Sequence, residues 1–474
     1  MSKLQKFYIA GQWVDPVQPR HREVINPATE CSFATISLGS AADIDAAVMA
    51  AKEAFSEFSM TSATYRIDLT RILNAYNARD KDLVRAVSKE MGAPMALARD
   101  AQAWIGQAHL EATIKALKNF SFHEDRGATR IQRELIGVCA LITPWNWPLN
   151  QIVCKVAPAI AVGCTVVLKP SQIAPTSGII LAEIMDAAWV PAGVFNLLSG
   201  TGPDVGVAMS SDADVDMVSF LGSTCAGISV AEMVAPTVKR VSQALGGKSA
   251  NILLPEADFA KAVSSGVAGC FGNTGQSCDA PSRMQVPMAR MHDVARLAAE
   301  AAAGYDTGDP HADGTDLGPV ISQHQFDKIQ SMIQSGIDVG ATLVAGGAGR
   351  PEGLDVGYFV KPTIFANVSP NMTISREEIF GPVLSIIGYE DEADAIRIAN
   401  DTVHGLAGYI RSADMDAARR VTARLRVGTI MINAPDFDAH SVFGGHKQFG
   451  NGREYADFGL AEFLETKSIV GFQT

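Results

Sequence analysis

Gly137-Val138-Cys139-Ala140-Leu141-Ile142-Thr143-Pro144-Trp145-Asn146-Trp147-Pro148 is the stretch whose reading decides the fold. Five consecutive apolar residues read as a strand covered on both faces. A turn carrying two prolines stops it, and the apolar segment 151–161 follows as a helix. The unit then repeats. Segments 165–168, 194–198, 217–220 and 238–242 read as strands, with helices over 176–188, 203–210 and 225–234. Such alternation predicts an α/β fold with a parallel, doubly wound sheet. Ligands of these sheets sit beyond the carboxyl ends of the strands.

Upstream, residues 7–14 alternate around Gly11 and predict a short strand pair, and Asn26-Pro27-Ala28-Thr29 is a turn. Ser40 opens a helix with Asp43 as a capping-box partner. Ile44, Val48, Ala51, Phe55 and Phe58 recur at spacings of four and three, which makes one apolar face. Similar helices run through Asn119 and read as scaffold; 130–135 reads as extended.

The chain has 474 residues, 47% hydrophobic and 19% charged, with a formal net charge of -12. That length suggests more than one domain. No basic cluster offers a nucleic-acid face. Seven cysteines without paired spacing argue against a disulfide framework and for a reducing cytoplasm. No signal peptide or membrane span is expected, because the most apolar stretch, 156–168, is short and interrupted by Pro158 and Gly163. The histidines and cysteines lack metal-ligand spacing, so no metal is expected.

Phe271-Gly272-Asn273-Thr274-Gly275-Gln276-Ser277-Cys278 puts a cysteine at the end of a polar turn. Backbone N–H groups exposed there favour a thiolate and any oxyanion beside it, so Cys278 is the candidate nucleophile. Three strand ends add candidates. Gly222-Ser223-Thr224 with Gly227 opens a helix and suits a pyrophosphate, although taken alone this hexapeptide reads better as a plain tight turn. Lys169 could reach ribose hydroxyls. Asn146, held between two tryptophans, could donate to an oxyanion or merely cap its turn.

Taken together, Pro144-Trp-Asn-Trp-Pro148, Lys169-Pro-Ser171, Gly222-Ser-Thr224 with Gly227, Leu245-Gly-Gly-Lys248, Phe271-x-Asn-x-Gly-Gln-x-Cys278, Glu378-Ile-Phe-Gly-Pro382 and Gly450-x-Gly-Arg-Glu454 resemble the NAD(P)-dependent aldehyde dehydrogenase superfamily over nearly the whole chain. The resemblance implies a Rossmann-like cofactor domain (1–119 and 136–245), an α/β catalytic domain (246–445) and a small β oligomerisation arm (120–135 and 458–474). It also implies a cytoplasmic homodimer or homotetramer. Cys278 would attack the aldehyde, and Asn146 and the Cys278 amide would hold the thiohemiacetal oxygen. Hydride would pass to the nicotinamide, and water would cleave the resulting thioester. Lys169 would bind the adenosine ribose, Ser223 the pyrophosphate and Glu378 the nicotinamide ribose, with Phe380 beside the ring. Trp145, Gly222, Gly227 and Leu245 belong to the same cofactor motifs. NAD is the implied cofactor. Gln172 stands where many NAD-preferring members carry glutamate, so NADP could be tolerated.

Ala244 is the sharpest departure, because the family carries its general-base glutamate there. Either the chain is an engineered variant that traps an intermediate, or the natural protein works without this base. The intact remaining positions favour engineering. Lys155 and Glu465 match a proton relay of some members and are the remaining candidates for slow deacylation; a structural ion pair is the plainer reading. Leu221 replaces a usual threonine, without an interpretation. Trp147, Phe271 and Phe443 match tunnel positions and favour an aromatic or medium-to-long apolar aldehyde, with a semialdehyde also open. His440, in the unusual 435–442 stretch, could contact a polar or anionic tail. Two rivals remain: a CoA-acylating dehydrogenase, which would also lack the glutamate, and a non-catalytic protein on this fold.

Overall fold

The computed structural model describes residues 3–66 and 69–472. Two seven-stranded sheets form its framework. The first has the order 240–244, 217–221, 138–142, 165–169, 195–197, 7–9, 12–14. Its first five strands are parallel, and the 7–14 hairpin adds an antiparallel edge. Val138–Ile142 and Thr165–Lys169 are buried along their whole length, as central strands covered by helices on both faces must be. The chain steps outward from 138–142 in one direction, then returns to its other side with 217–221. The two carboxyl ends at this reversal are Thr143-Pro144-Trp145 and Gly222-Ser223, which is where a doubly wound sheet opens its ligand crevice.

The predicted elements differ from the observed ones mainly at their ends. The helix expected over 151–161 starts at Pro148 and runs to Val162. Proline suits that first position, because its missing N–H would have no helical partner anyway. The helix expected over 203–210 is a π-turn, Gly202–Gly206, continued by Val207–Ser211. Ala41–Phe58 carries the expected cap: Ser40 N–H donates to Asp43 Oδ2 at 2.8 Å. Ile44, Val48 and Ala51 are buried on its inner face.

The second sheet has the order 342–345, 363–366, 383–389, 283–287, 250–253, 407–411, 429–432 and is parallel except at its first pair. A third sheet pairs Leu464–Val470 with Thr129–Leu135, which pairs with His123–Arg126. The outer strand 464–470 is mostly exposed. The last two residues of the arm expected over 458–474 lie outside the described residues. No described helix is long and apolar enough to cross a membrane.

Candidate active site

Helix Phe259–Phe271 delivers the nucleophile turn. Asp258 caps it by accepting from Lys261 N–H at 3.2 Å, and Val263, Val267 and Phe271 form its buried stripe. Beyond it, Asn273 and Thr274 adopt left-handed backbone angles, φ 53° and 55°. A β-branched residue rarely sits there unless its surroundings impose it. Here they do. Asn273 Nδ2 donates to Asn146 O at 2.9 Å, and Thr274 Oγ1 donates to Gly318 O at 3.2 Å. Gln102 Nε2 donates to both Asn146 O and Asn273 Oδ1, each at 3.1 Å. Gly275 has φ +71°, and a Cβ there would lie 2.1 Å from the Gly381 carbonyl, so two loops cross at backbone contact.

The same network fixes Asn146. Its Nδ2 donates to Gln276 O at 3.0 Å, and its Oδ1 accepts from Gln151 Nε2 at 2.8 Å. The amide nitrogen is thereby held against the backbone that leads into Cys278, which leaves a second N–H for an oxyanion. Trp147 Nε1 donates to Ser277 Oγ at 2.7 Å and ties the two turns together again.

Burial pushes the Cys278 thiol well above the ordinary range, with Asp279 and Glu378 adding to the effect. The backbone N–H at Cys278 favours the thiolate, as the polar turn predicts, but burial outweighs it. Ala244 ends strand Arg240–Ala244, buried among Leu221, Leu406, Tyr409 and Phe449, with Cys278 packed against this cluster. Its methyl group can take no proton.

Two cavities meet at Cys278. The first, about 620 Å³, is lined by Pro144, Trp145, Asn146, Leu221, Gly222, Ser223, Leu245, Gly246, Gln325, Lys328, Glu378 and Phe380 as well. Ser223 caps helix Thr224–Val234, so free helix N–H groups face this crevice. Glu378 Oε1 accepts from Gly247 N–H at 2.9 Å, and burial raises its pKa. Phe380, at φ +62°, stands edge-on to Trp145 with 5.4 Å between ring centres. Gln325 Nε2 clamps the Phe380 carbonyl at 2.8 Å, a contact no sequence motif suggested. Gly227 packs in the helix against Leu245, where a Cβ would lie 2.5 Å from Cδ2. Lys169 ends the neighbouring strand, buried, and burial lowers its pKa to about 8. Gln172 is half-buried just beyond. Neither Lys169 nor Gln172 lines the cavity wall.

The second cavity, about 1390 Å³, runs from Cys278 and Leu221 past Ile105, Trp147, Gln151, Asp279, Met431 and Tyr455 to the loop 435–443. Phe443 lines it, stacked on Tyr455 with 5.2 Å between centres. Two expected lining residues are corrected. Phe271 is fully buried and packs edge-on to Tyr305, in the core under the turn. His440 is exposed, with Nε2 3.5 Å from Lys115 Nζ, outside the lining.

The sequence profile described as the aldehyde dehydrogenase family matches residues 13–469. A 3-succinoylsemialdehyde-pyridine dehydrogenase from a Pseudomonas species is 49% identical over the whole of both chains.

The chain belongs to the aldehyde dehydrogenase family.

Solved structures agree. A mutant of aldehyde dehydrogenase C from Pseudomonas syringae, complexed with NAD+ and octanal, superposes with a TM-score of 0.98 at 50% identity, covering 99% of this chain and 97% of that one. Betaine aldehyde dehydrogenase from Staphylococcus aureus, in complex with NAD+, gives 0.95 at 34% identity, covering 99% and 95%.

In this aldehyde dehydrogenase the expected pairing of Lys155 with Glu465 is also corrected. Glu465 lies on the exposed arm strand and pairs with Arg240 at 2.5 Å. Lys155, on helix Pro148–Val162, is buried and pairs with Glu454; it also donates to Ser219 Oγ at 2.9 Å. Burial alone would lower the Lys155 pKa, but Glu454 outweighs it and holds the ammonium charged. Glu454 lines the second cavity. It stands in the quoted Gly450-x-Gly-Arg-Glu454 motif, whose glycines dock on strand 240–244: a Cβ at Gly450 would lie 2.4 Å from Gln243 O. The signal was therefore in the sequence, without a role attached. Tyr455, Phe437 and Asp279 were not singled out, although a charge directly after the nucleophile was visible.

Proposed function

We propose that this aldehyde dehydrogenase oxidises an aldehyde to its carboxylic acid with NAD, through a thioester on Cys278. The observation that carries the reading is the meeting of the two cavities at one cysteine, with Asn146 beside it. A crevice at the sheet's switch point fits an extended dinucleotide. The N-terminus of helix 224–234 and Ser223 suit its pyrophosphate, Glu378 a ribose, and Trp145 with Phe380 a flat ring. Gly246 has no room for a side chain, since a Cβ would lie 2.8 Å from Glu378 Oε2, and a ligand could pass close to the backbone there. NAD would supply the hydride acceptor.

The chain's own groups do the rest. The Cys278 thiol first gives its proton to solvent water; the thiolate Sγ then bonds to the aldehyde carbon as the C=O pair moves to oxygen, and the Asn146 N–H and the Cys278 amide receive that negative charge. Collapse of that oxyanion restores the C=O bond and expels hydride from carbon, which leaves a thioester. Water must then lose a proton as it adds. The alanine at 244 cannot accept it, so acyl-enzyme clearance is the slow step in this chain. Lys155 and Glu454 stand as the paired groups nearest to a relay. The exposed edge strand 464–470 suits addition to a second copy, as a homodimer or homotetramer requires.

The test is NADH formation by Cys278→Ala and Cys270→Ala. Cys270 is a core thiol, pushed up to about 12 by burial. Cys278→Ala should lose the first fast phase of NADH formation and keep NAD binding. Retention of that phase in Cys278→Ala, with its loss in Cys270→Ala, would overturn the assignment.

A further inference from the structure

The walls of the second cavity carry charge of one sign. Among the described lining residues the charged ones are Asp279, Asp436, Asp438 and Glu454, and none is basic. Glu454 is neutralised by Lys155. No described basic side chain pairs with the Asp279 carboxylate, whose pKa burial raises and a backbone N–H partly lowers again; its carbonyl accepts from Tyr409 OH at 3.0 Å. At the mouth, Asp438 Oδ1 accepts from His440 N–H at 2.8 Å. Lys115 and His440 meet on the outer side of that loop, away from the lining.

Two further features call for a positive or donating group. Gln151 lines the cavity at 3% exposure, and its Oε1 is buried without a partner. A buried acceptor left unpaired is costly, and a ligand donor or cation would relieve it. Four aromatic rings, Trp147, Phe437, Phe443 and Tyr455, share the remaining walls with aliphatic side chains such as Ile105, Ile430 and Met431. Phe437 approaches Tyr455 edge-on, with 6.3 Å between centres. Aromatic faces and carboxylates attract the same ligand, a poorly hydrated cation.

We propose that this cavity selects aldehydes whose apolar body ends in a cation, an alkylammonium or a protonated nitrogen heterocycle, and discriminates against anionic tails. The proposal deepens the aldehyde oxidation proposed above and rests on it.

Three probes with the same three-methylene spacer test it: 4-trimethylammoniobutanal, its neutral carbon isostere 5,5-dimethylhexanal, and the anion 5-oxopentanoate. The reading is the second-order rate constant of the first NADH phase, which precedes thioester hydrolysis. The cation should exceed its isostere by about tenfold at low salt, and the anion should fall below the isostere by a similar factor. Added salt should narrow the spread. Asp279→Asn, and separately the Asp436→Asn/Asp438→Asn pair, should move the cation-to-isostere ratio toward one. An isostere that reacts as fast as the cation overturns the selectivity while leaving aldehyde oxidation intact. A preference that survives both variants overturns the role of these carboxylates. Absence of NADH with all three probes, and with octanal, removes the underlying function as well.

Discussion

At the scale of single residues, the account rests on the thiol of Cys278, the proposed nucleophile, whose pKa lies well above the ordinary range. Burial is the main cause, and the carboxylates of Asp279 and Glu378 add to it. The nucleophile must therefore be activated by what enters the cavities or by a base. Iodoacetamide should modify Cys278 more slowly near neutral pH than the exposed Cys31. Its rate should still be rising at pH 9.0, the ordinary thiol value. Asp279→Asn should quicken it, because one neighbouring negative charge is gone. Peptide mass mapping of timed samples reads both rates. A Cys278 modified as fast as Cys31 at neutral pH would show a thiolate already present, against the burial argument.

At the scale of elements, the site depends on how helices and turns are pinned. Glu90, on helix Asp80–Met91, caps helix Thr176–Ala187: Oε2 accepts from Thr176 N–H at 2.6 Å and Oε1 from Ser177 N–H at 3.1 Å. Burial raises its pKa from 4.5 to about 7, against the opposing effect of these bonds. The folded protein thus holds this proton more tightly than the unfolded chain. The stabilisation is complete below pH 4.5 and is lost as pH rises to about 7, on the order of 3 kcal/mol. Glu90→Gln should remove that part of the slope, which urea unfolding of both proteins across this window measures. Parallel profiles for the two would show that Glu90 titrates normally.

Element-level reading also explains which site residues were legible. Phe271 continues the four-residue spacing of Val263 and Val267, so its helix turns it into the core, and the motif that ends at Cys278 does not alter that periodicity. Glu465 lies opposite Glu134 in the arm's antiparallel register, which no local pattern reveals. Asn146 and Ser223 are legible because each sits at a strand end, where glycine, proline and polar residues mark the break, whereas Glu378 comes from the resemblance alone. Gln102 and Gln325 are not legible. They act from helix surfaces on distant loops, and a lone glutamine on a helix carries no signal.

At the scale of the whole molecule, two parallel sheets each present loops to one cysteine. Short apolar strands alternating with helices make the first sheet readable from sequence, but the strand order, and with it the reversal that opens the crevice, is seen only in the fold. The second sheet was implied by the resemblance rather than by pattern, and the 435–443 loop that shapes the substrate cavity follows no periodicity. The two cavities assemble groups from residues 105 to 455, so their geometry exists only once both sheets are folded.

That assembly has a nucleophile, an oxyanion donor and two ligand cavities, but an alanine where its water-activating base is expected. A positioned base contributes about a hundredfold to ten-thousandfold. The first half-reaction should therefore outrun the second. Rapid mixing with NAD and octanal should give a burst approaching about one NADH per Cys278, then slow turnover, with the acyl adduct visible by intact mass. Ala244→Glu should restore steady turnover and erase most of the burst. Steady turnover without a burst or adduct, equal to that of Ala244→Glu, would contradict the stalled thioester.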